Sequence, residues 1–372
     1  MGGVPVQAAG EQSPLKTYQN ILVYAMVNLG DVILTTSAIA LLKKVYPAAR
    51  ITMLSRPIVR EVIERSPVID DVILFDYKAK KNALRQMWAM VRELRTRRFD
   101  LAISFDRKLR PALLCFLAGI PVRIGPSRVF DARPSRVTWL YTHTVPITHD
   151  LDDTLQAETY QEIIRGFTGT DGHARPVLPA PDAAQSAKAA EMLAPAERMG
   201  KKKIGLCVKG TFALKTWPKE YFAAVVRALS ARYDAAFYVT GAPGDYEYAQ
   251  EVIACMGVPA ENLCGKTNLM ELAALYARLD LLLSVDTGGG HIAAAVGVPL
   301  VTIFGCTSPR RWHPISSAAT ALTSHEPCCP CSYRETECPS YPRPNCLYHV
   351  LPEEALRACI SYLDGAVSAQ ST

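Results

Sequence analysis

Short apolar runs alternate along this chain with longer stretches in which apolar residues recur at helical spacing. The runs lie at 21–26, 50–54, 71–75, 101–105, 204–208, 236–240, 281–285 and 300–304. Each has the length of a strand buried on both faces, where no polar alternation is needed. Between them, 31–46, 82–97, 219–233 and 270–279 repeat apolar positions every three or four residues, the pattern of a helix with one face on a core. Strand–helix alternation of this kind predicts an α/β fold of parallel sheets with helices on both faces.

The alternation pauses after residue 165. Gly166, Gly169, Gly172, Pro176, Pro179 and Pro181 punctuate the pause, and an Ala-rich stretch ending near Pro195 follows. This divides the chain into a first unit at 20–165, a linker with a short helix at 166–202, a second unit at 203–350 and a closing helix and tail at 351–372. Residues 1–19, rich in Gly, Ala, Pro and Gln, lack the basic start and apolar block of a secretion signal and read as a disordered leader. Two halves of comparable size predict two Rossmann-like domains facing across a cleft, with ligands beyond the carboxyl ends of the strands.

Composition changes this picture little. At 49% hydrophobic and 20% charged, the chain has the balance of an ordinary globular protein with a sizeable core. No apolar run reaches the roughly 18 residues that a membrane-spanning helix needs. The net charge of +6 permits an acidic partner such as a phosphate-bearing lipid, although a solvated basic surface has the same balance. The basic residues are uneven: Lys78, Lys80, Lys81, Arg85, Arg92, Arg95, Arg97 and Arg98 crowd one helical segment against Glu93 alone. That segment is either a solvated face or a contact for anionic headgroups.

Of the cysteines, Cys115, Cys207, Cys255, Cys264, Cys306 and Cys359 are scattered in apolar or helical surroundings and read as small core residues. Cys328, Cys329, Cys331, Cys338 and Cys346 cluster. Cys328 and Cys331 have metal-ligand spacing, but Cys338 and Cys346 form no second close pair, so a structural metal and free thiols both stay open. Without a secretion signal, a reducing compartment is expected and a disulfide framework is not.

Four loops that follow strands carry candidate chemistry. In Asn28-Leu29-Gly30-Asp31, Gly30 permits a tight turn, and Asp31 is either a helix N-cap or a carboxylate at the cleft mouth serving as general base. In the loop from Lys209 to Pro218, the Thr211 hydroxyl and Lys215 ammonium suit phosphate oxygens. The run Asp286-Thr287-Gly288-Gly289-Gly290-His291 passes from a strand into a small-residue helix. It offers free amides and a positive helix end to an anion. His291 reads as a hydrogen-bonding prop for that loop. No Gly-Lys-Ser/Thr follows, which excludes a Walker loop, and the first strand lacks the dehydrogenase glycine spacing. The fourth loop, Gly305-Cys306-Thr307-Ser308-Pro309-Arg310-Arg311-Trp312-His313-Pro314, is either a Pro-rich surface turn or a flap over phosphate or sugar.

These motifs, with Leu-Lys-Lys-Val-Tyr-Pro at 42–47, Lys215-Thr216-Trp217-Pro218, Gly297-Val298-Pro299 and Phe304-Gly305, occur in one order from about residue 20 to 360. In that order the chain resembles the bacterial heptosyltransferases of glycosyltransferase family 9. The resemblance implies a GT-B fold and inverting transfer from ADP-heptose to the inner core of lipopolysaccharide, without a catalytic metal or other cofactor. It places Asp31 as general base, and Thr211 and Lys215 on the diphosphate, Lys215 also serving catalysis. It places Asp286 and Thr287 on donor sugar and phosphate, with Gly288, Gly289 and His291 beside them. It places Glu247 on the ribose and 266–269, with Thr267, along the adenine. Asp286 would grip a sugar hydroxyl or offset oxocarbenium charge. The anionic acceptor, a lipopolysaccharide core or lipid A precursor, would meet Arg56, Arg60, Arg107, Arg110 or Arg123. The implied location is cytoplasmic, with peripheral contact at the inner membrane and no nucleic-acid partner. Alternatives are the same fold with another nucleotide sugar or acceptor, protein included; a nucleotide-sugar epimerase; and a silent nucleotide-binding module. An epimerase needs paired carboxylates and histidines for elimination, a set not seen here, and the trio Asp31, Lys215 and Asp286 argues against silence.

Overall fold

A computed structural model describes residues 17–76, 83–106, 108–129, 137–331 and 337–365. The expected leader up to residue 16, Lys78, Lys80, Lys81, Arg107 and the tail beyond 365 lie outside the described residues.

The first unit holds strands β1 (Asn20–Tyr24), β2 (Arg50–Ser55), β3 (Asp71–Leu74), β4 (Leu101–Ser104), β5 (Val122–Pro126) and β6 (His143–Val145). Its helices are α1 (Leu29–Val45), α2 (Arg60–Ile63), α3 (Ala83–Thr96), α4 (Leu109–Leu117) and α5 (Gln156–Thr168). Helix α6 (Ala183–Arg198) follows. The second unit holds β7 (Lys202–Cys207), β8 (Ala235–Val239), β9 (Ala260–Asn262), β10 (Leu281–Val285), β11 (Leu300–Ile303) and β12 (Ala319–Leu322). Its helices are α7 (Lys219–Arg232), α8 (Tyr246–Met256), α9 (Leu269–Tyr276), α10 (Gly288–Val296), α11 (Pro309–Trp312), α12 (Asn345–Tyr348) and α13 (Pro352–Leu363).

Both sheets are wholly parallel and wound alike, β3-β2-β1-β4-β5-β6 and β9-β8-β7-β10-β11-β12. This is the GT-B arrangement of two Rossmann-like domains. The strand order reverses between β1 and β4 in one sheet and between β7 and β10 in the other, and such reversal points open a crevice at the carboxyl ends. The loops bearing Asp31, Lys215 and Asp286 follow β1, β7 and β10, so the winding itself directs them to the crevices.

All eight apolar runs are strands, and the central ones are fully buried, as at Ile21, Leu22 and Val23 or Leu281, Leu282 and Leu283. Four strands, β5, β6, β9 and β12, have no matching run. β6, β9 and β12 are sheet edges, half-covered or exposed along most of their length, so they carry no continuous apolar signature. The expected short linker helix is the 16-residue α6, started by a capping box in which Asp182 and Gln185 satisfy each other's backbone amides. Its Lys188 and Glu197 pair with Glu271 and Arg278, which fastens α6 to the second unit.

One hydrophobic core passes from β1, α1 and α5 of the first unit into α9 and α10 of the second. A second, beneath the loop that follows β7, is anchored by Trp217. This indole is fully buried, stands edge-on to Phe222 at 5.0 Å, and donates from Nε1 to the Val350 carbonyl at 3.0 Å. Trp217→Ala should therefore cost about 3–5 kcal/mol, read as a lowered midpoint in chemical denaturation. Trp217→Phe should lose less, keeping the packing but orphaning one carbonyl. Equal midpoints for wild type and Trp217→Ala would refute the anchor.

Candidate active site

Helix α1 begins at Leu29, with Asn28 at the N-cap making no side-chain cap. Asp31 therefore sits inside the first turn. The capping role is corrected: the helix starts two residues earlier than its apolar pattern indicates, and Asp31 is free for another task. Its Oδ1 accepts a hydrogen bond from the hydroxyl of Tyr160, fully buried on α5, at 2.9 Å. Burial at the base of the cleft pushes the Asp31 carboxyl up to about 6; the Tyr160 hydrogen bond and the fields of Arg311 and Lys215 oppose that rise, and Asp286 adds to it. A carboxylate so placed is a base poised near neutrality.

Opposite stands the second unit. Lys215 closes a 3-10 turn after β7 and pairs its Nζ with Asp286 Oδ2 at 2.6 Å. The Thr307 hydroxyl donates to the same oxygen at 2.7 Å. Asp286 is buried, and these two donors hold it at the end of β10. Thr287 is the N-cap of α10 and also makes no side-chain cap, so two helix N-termini with open amides meet at the cleft.

Their meeting needs glycine. A Cβ on Gly30 would stand 2.7 Å from the His291 ring, and one on Gly288 would stand 2.9 Å from Leu29. His291 is buried against that backbone and makes no hydrogen bond among the described residues, its Nδ1 lying unpartnered. The expected hydrogen-bonding prop is corrected: the ring supports the loop by packing. Burial pushes its imidazole down to about 4, so it is neutral at physiological pH.

Asp31, Arg56, Lys108, Thr211, Phe212, Lys215, Asp286, Thr287, Gly288, His291, Thr307 and Trp312 line one cleft of ≈ 500 Å³. Other expected site residues stand elsewhere. Gly289 lies one residue further along α10, where a Cβ would approach the Tyr276 hydroxyl to 3.3 Å. Glu247 is exposed in the first turn of α8, and Thr267 is half-buried before α9. Their two loops adjoin, Gly265 N–H donating to the Gly241 carbonyl at 3.0 Å, but neither side chain lines the cleft. Arg60 is exposed and paired with Glu64 at 2.8 Å. Arg110 is exposed on α4. Arg123 spends its guanidinium on the carbonyls of Leu140 and Ile120, at 2.9 and 2.6 Å, and does not line the cleft. Arg107 lies outside the described residues.

The loop after β11 is neither a free turn nor an open flap. Arg311 is buried in the first unit, where it donates to Gln156 Oε1 at 2.9 Å, Asp152 Oδ1 at 3.1 Å and the Val129 carbonyl at 3.0 Å. Ser308 donates to the Asp152 carbonyl at 2.7 Å, and Arg310 pairs with Asp153. This clasp and Tyr160 carry no signal in the sequence. Tyr160 lies 129 residues from Asp31 inside an ordinary amphipathic helix, and no local motif points to it.

The clustered cysteines do gather. Cys328, Cys329, Cys331, Cys338 and Cys346 line a cavity of ≈ 200 Å³ together with Leu214 and Cys306. Cys306 is buried in the second core, as expected, and also borders this cavity. Cys331 N–H donates to the Cys306 carbonyl at 2.9 Å, so the cluster backs the loops that carry Lys215 and Thr307. Among the described residues no three His, Cys, Asp or Glu side chains stand as a metal-binding group.

The family model described as glycosyltransferase family 9 (heptosyltransferase) matches residues 87–341. Lipopolysaccharide heptosyltransferase 3 of Escherichia coli (strain K12) is 28% identical over 295 residues, 77% of this chain and 82% of that protein. A glycosyl transferase family 9 structure from Veillonella parvula superposes with a TM-score of 0.82 at 23% identity, covering 95% of this chain and 99% of that one. The structure of E. coli ADP-heptose LPS heptosyltransferase II gives 0.74 at 22% identity, with 94% and 99% covered. These two likenesses show the shared fold.

The Asp31 carboxyl should titrate near pH 6 when followed by carbon NMR, and Tyr160→Phe should raise that value. A hydrogen bond donated to the carboxylate favours the charged form, and its loss corresponds to about one to two pH units. A Tyr160→Phe protein whose Asp31 titrates lower than the wild type would overturn the assignment.

Proposed function

This chain belongs to glycosyltransferase family 9, and we propose that it transfers heptose from ADP-heptose to the inner core of a lipopolysaccharide acceptor, inverting the anomeric centre. The family supplies the reaction class. The carrying observation is one cleft that sets a carboxylate with a pKa raised to about 6 across from a recess of ammonium, hydroxyl and open amides.

The chemistry follows from charge. Asp31 takes the proton of the acceptor hydroxyl as its oxygen attacks the anomeric carbon, a contribution of roughly 10²–10⁴-fold. The C–O bond to the diphosphate breaks on the opposite side, and the departing group gains negative charge. Lys215, Thr211 and the first amides of α10 receive that charge, each such donor being worth about 2.7–4 kcal/mol if it acts as an oxyanion-hole group. Thr307 and Lys215 hold Asp286 where it grips a sugar hydroxyl. His291, neutral and packed, contributes shape rather than a proton. The adenosine extends toward the adjoining loops of Glu247 and Thr267. Arg56 and Lys108, on the first-unit wall, meet the anionic acceptor. A lipid-borne acceptor implies work at the cytoplasmic face of an inner membrane. No described helix is long and apolar enough to cross a membrane.

ADP, at about 100 times its dissociation constant, should stabilise the protein by roughly 2.7 kcal/mol in thermal shift, ahead of UDP and GDP. A preference for UDP would redirect the donor assignment. Asp31→Asn should keep ADP binding and lose turnover by about two to four orders of magnitude. Wild-type kcat/KM should fall as pH drops through about 6, because the base must be deprotonated. Undiminished turnover in Asp31→Asn would remove it as the base.

A further inference from the structure

Helices α3 and α4 lie side by side on one face of the first sheet, their inner residues sharing one core. Their outer faces carry apolar side chains that the fold leaves bare. Leu84 and Trp88 on α3 are 72% and 46% exposed, and Leu109 and Phe116 on α4 are 52% and 46%. Trp139, in the turn Thr138–Leu140 packed on α4, is 71% exposed. The spacings of four and seven residues put each pair on one side of its helix. Bare rings and leucines gathered this way mark an interaction surface.

The charge around them has one sign. Arg85, Arg92 and Arg95 are exposed on α3, and Lys108 and Arg110 at the start of α4, Lys108 standing 3.3 Å from the buried Asp106 carboxylate. Glu93, the only acid of α3, is half-buried and paired with Arg97 at 3.0 Å, and α4 has no acid. Arg95 also donates to the Leu117 carbonyl at 2.8 Å, tying the two helix ends together. This face mixes guanidinium groups among its rings without exposed acids to pair them, so a second copy laid on it would set cation against cation, whereas an anionic surface meets them with opposite charge. That mixture suits a headgroup layer, where rings and leucines enter the acyl boundary and arginines reach phosphates.

We propose that the outer face of α3 and α4 docks on an anionic phospholipid bilayer. The proposal deepens the reading above and rests on it for its purpose, the meeting with a lipid-borne acceptor. Lys108, the N-cap residue of α4, lines the catalytic cleft, so a bilayer on this face lies next to the cleft mouth.

Flotation of the full chain with vesicles tests it. The protein should float with equimolar phosphatidylglycerol and phosphatidylethanolamine, not with phosphatidylcholine alone, and added salt should release it. Arg85→Ala with Arg92→Ala should weaken binding about 25-fold, roughly fivefold per arginine. Leu84→Ser with Trp88→Ser should also release the protein, and Arg85→Lys with Arg92→Lys should retain it. ADP-induced thermal shifts equal to wild type show that each variant is folded. No binding to phosphatidylglycerol vesicles, or binding that neither pair of substitutions weakens, overturns the proposal. So does a wild-type oligomer that the Leu84/Trp88 pair dissolves, since a second copy would then cover the face. Turnover on a soluble truncated acceptor without vesicle binding removes the docking and leaves the reaction. Vesicle binding without use of ADP-heptose does the reverse.

Discussion

The active cleft exists because two helices approach end to end through residues that have no side chain. Gly30 in the first turn of α1 lies under the His291 ring, and Gly288 in the first turn of α10 lies against Leu29. A Cβ at either place would stand 2.7 Å from the His291 ring or 2.9 Å from the Leu29 side chain, so one of these side chains or the backbone beside it would have to shift. With glycine there, two positive helix ends and their unbonded amides point into one space. The hydrophobic core that runs from α1 into α10 holds them there. The electrostatics of the site follow from that contact: close approach buries Asp31, and burial raises its pKa.

Positive charge near a base is a hazard, since a cation stabilises the carboxylate and weakens its grip on a proton. The structure limits this effect by giving its cations other partners. Lys215 is held 2.6 Å from Asp286, and Arg311 is spent on Gln156, Asp152 and a backbone carbonyl. Both still lower the Asp31 pKa, but desolvation is larger and wins. Arg311 meanwhile serves as a clasp from the second unit into the first, so an element that pairs the domains also sets part of the field on Asp31.

The sequence made legible what is locally encoded. Fully buried strands announce themselves as apolar runs, and the loops after them are found by counting, so Asp31, Thr211, Lys215, Asp286 and Thr287 could be singled out. Edge strands such as β12, half-covered along their length, carry no such run. Partners distant in the chain are also silent: Tyr160 and Arg311 look like an ordinary helix residue and a surface arginine until folding sets them beside Asp31 and Gln156. Arg123 misled for the converse reason. A strand-end arginine fits an anion, but this one satisfies backbone carbonyls that would otherwise stay unpaired. Asp31 shows how a motif can be found while the helix end beside it is placed two residues off, because helix ends are the least certain feature of an apolar pattern.

The Gly30–His291 contact also joins two titrating groups that burial shifts in opposite directions. Asp31 rises from 3.8 to about 6, so as pH falls through that window the folded state gains protons and stability. His291 falls from 6.5 to about 4, so over nearly the same window the unfolded state binds protons first and stability is lost. The two displacements are similar in size, and their effects on folding largely cancel between pH 6 and 4. With its pKa at about 6 rather than 3.8, the buried Asp31 carboxylate costs roughly 3 kcal/mol to keep ionised at neutral pH. That cost is borne by the packed core beneath α1 and α10. Acid therefore removes the Asp31 charge with little net effect on folding from this pair of groups, although both sit at one pair of helix ends.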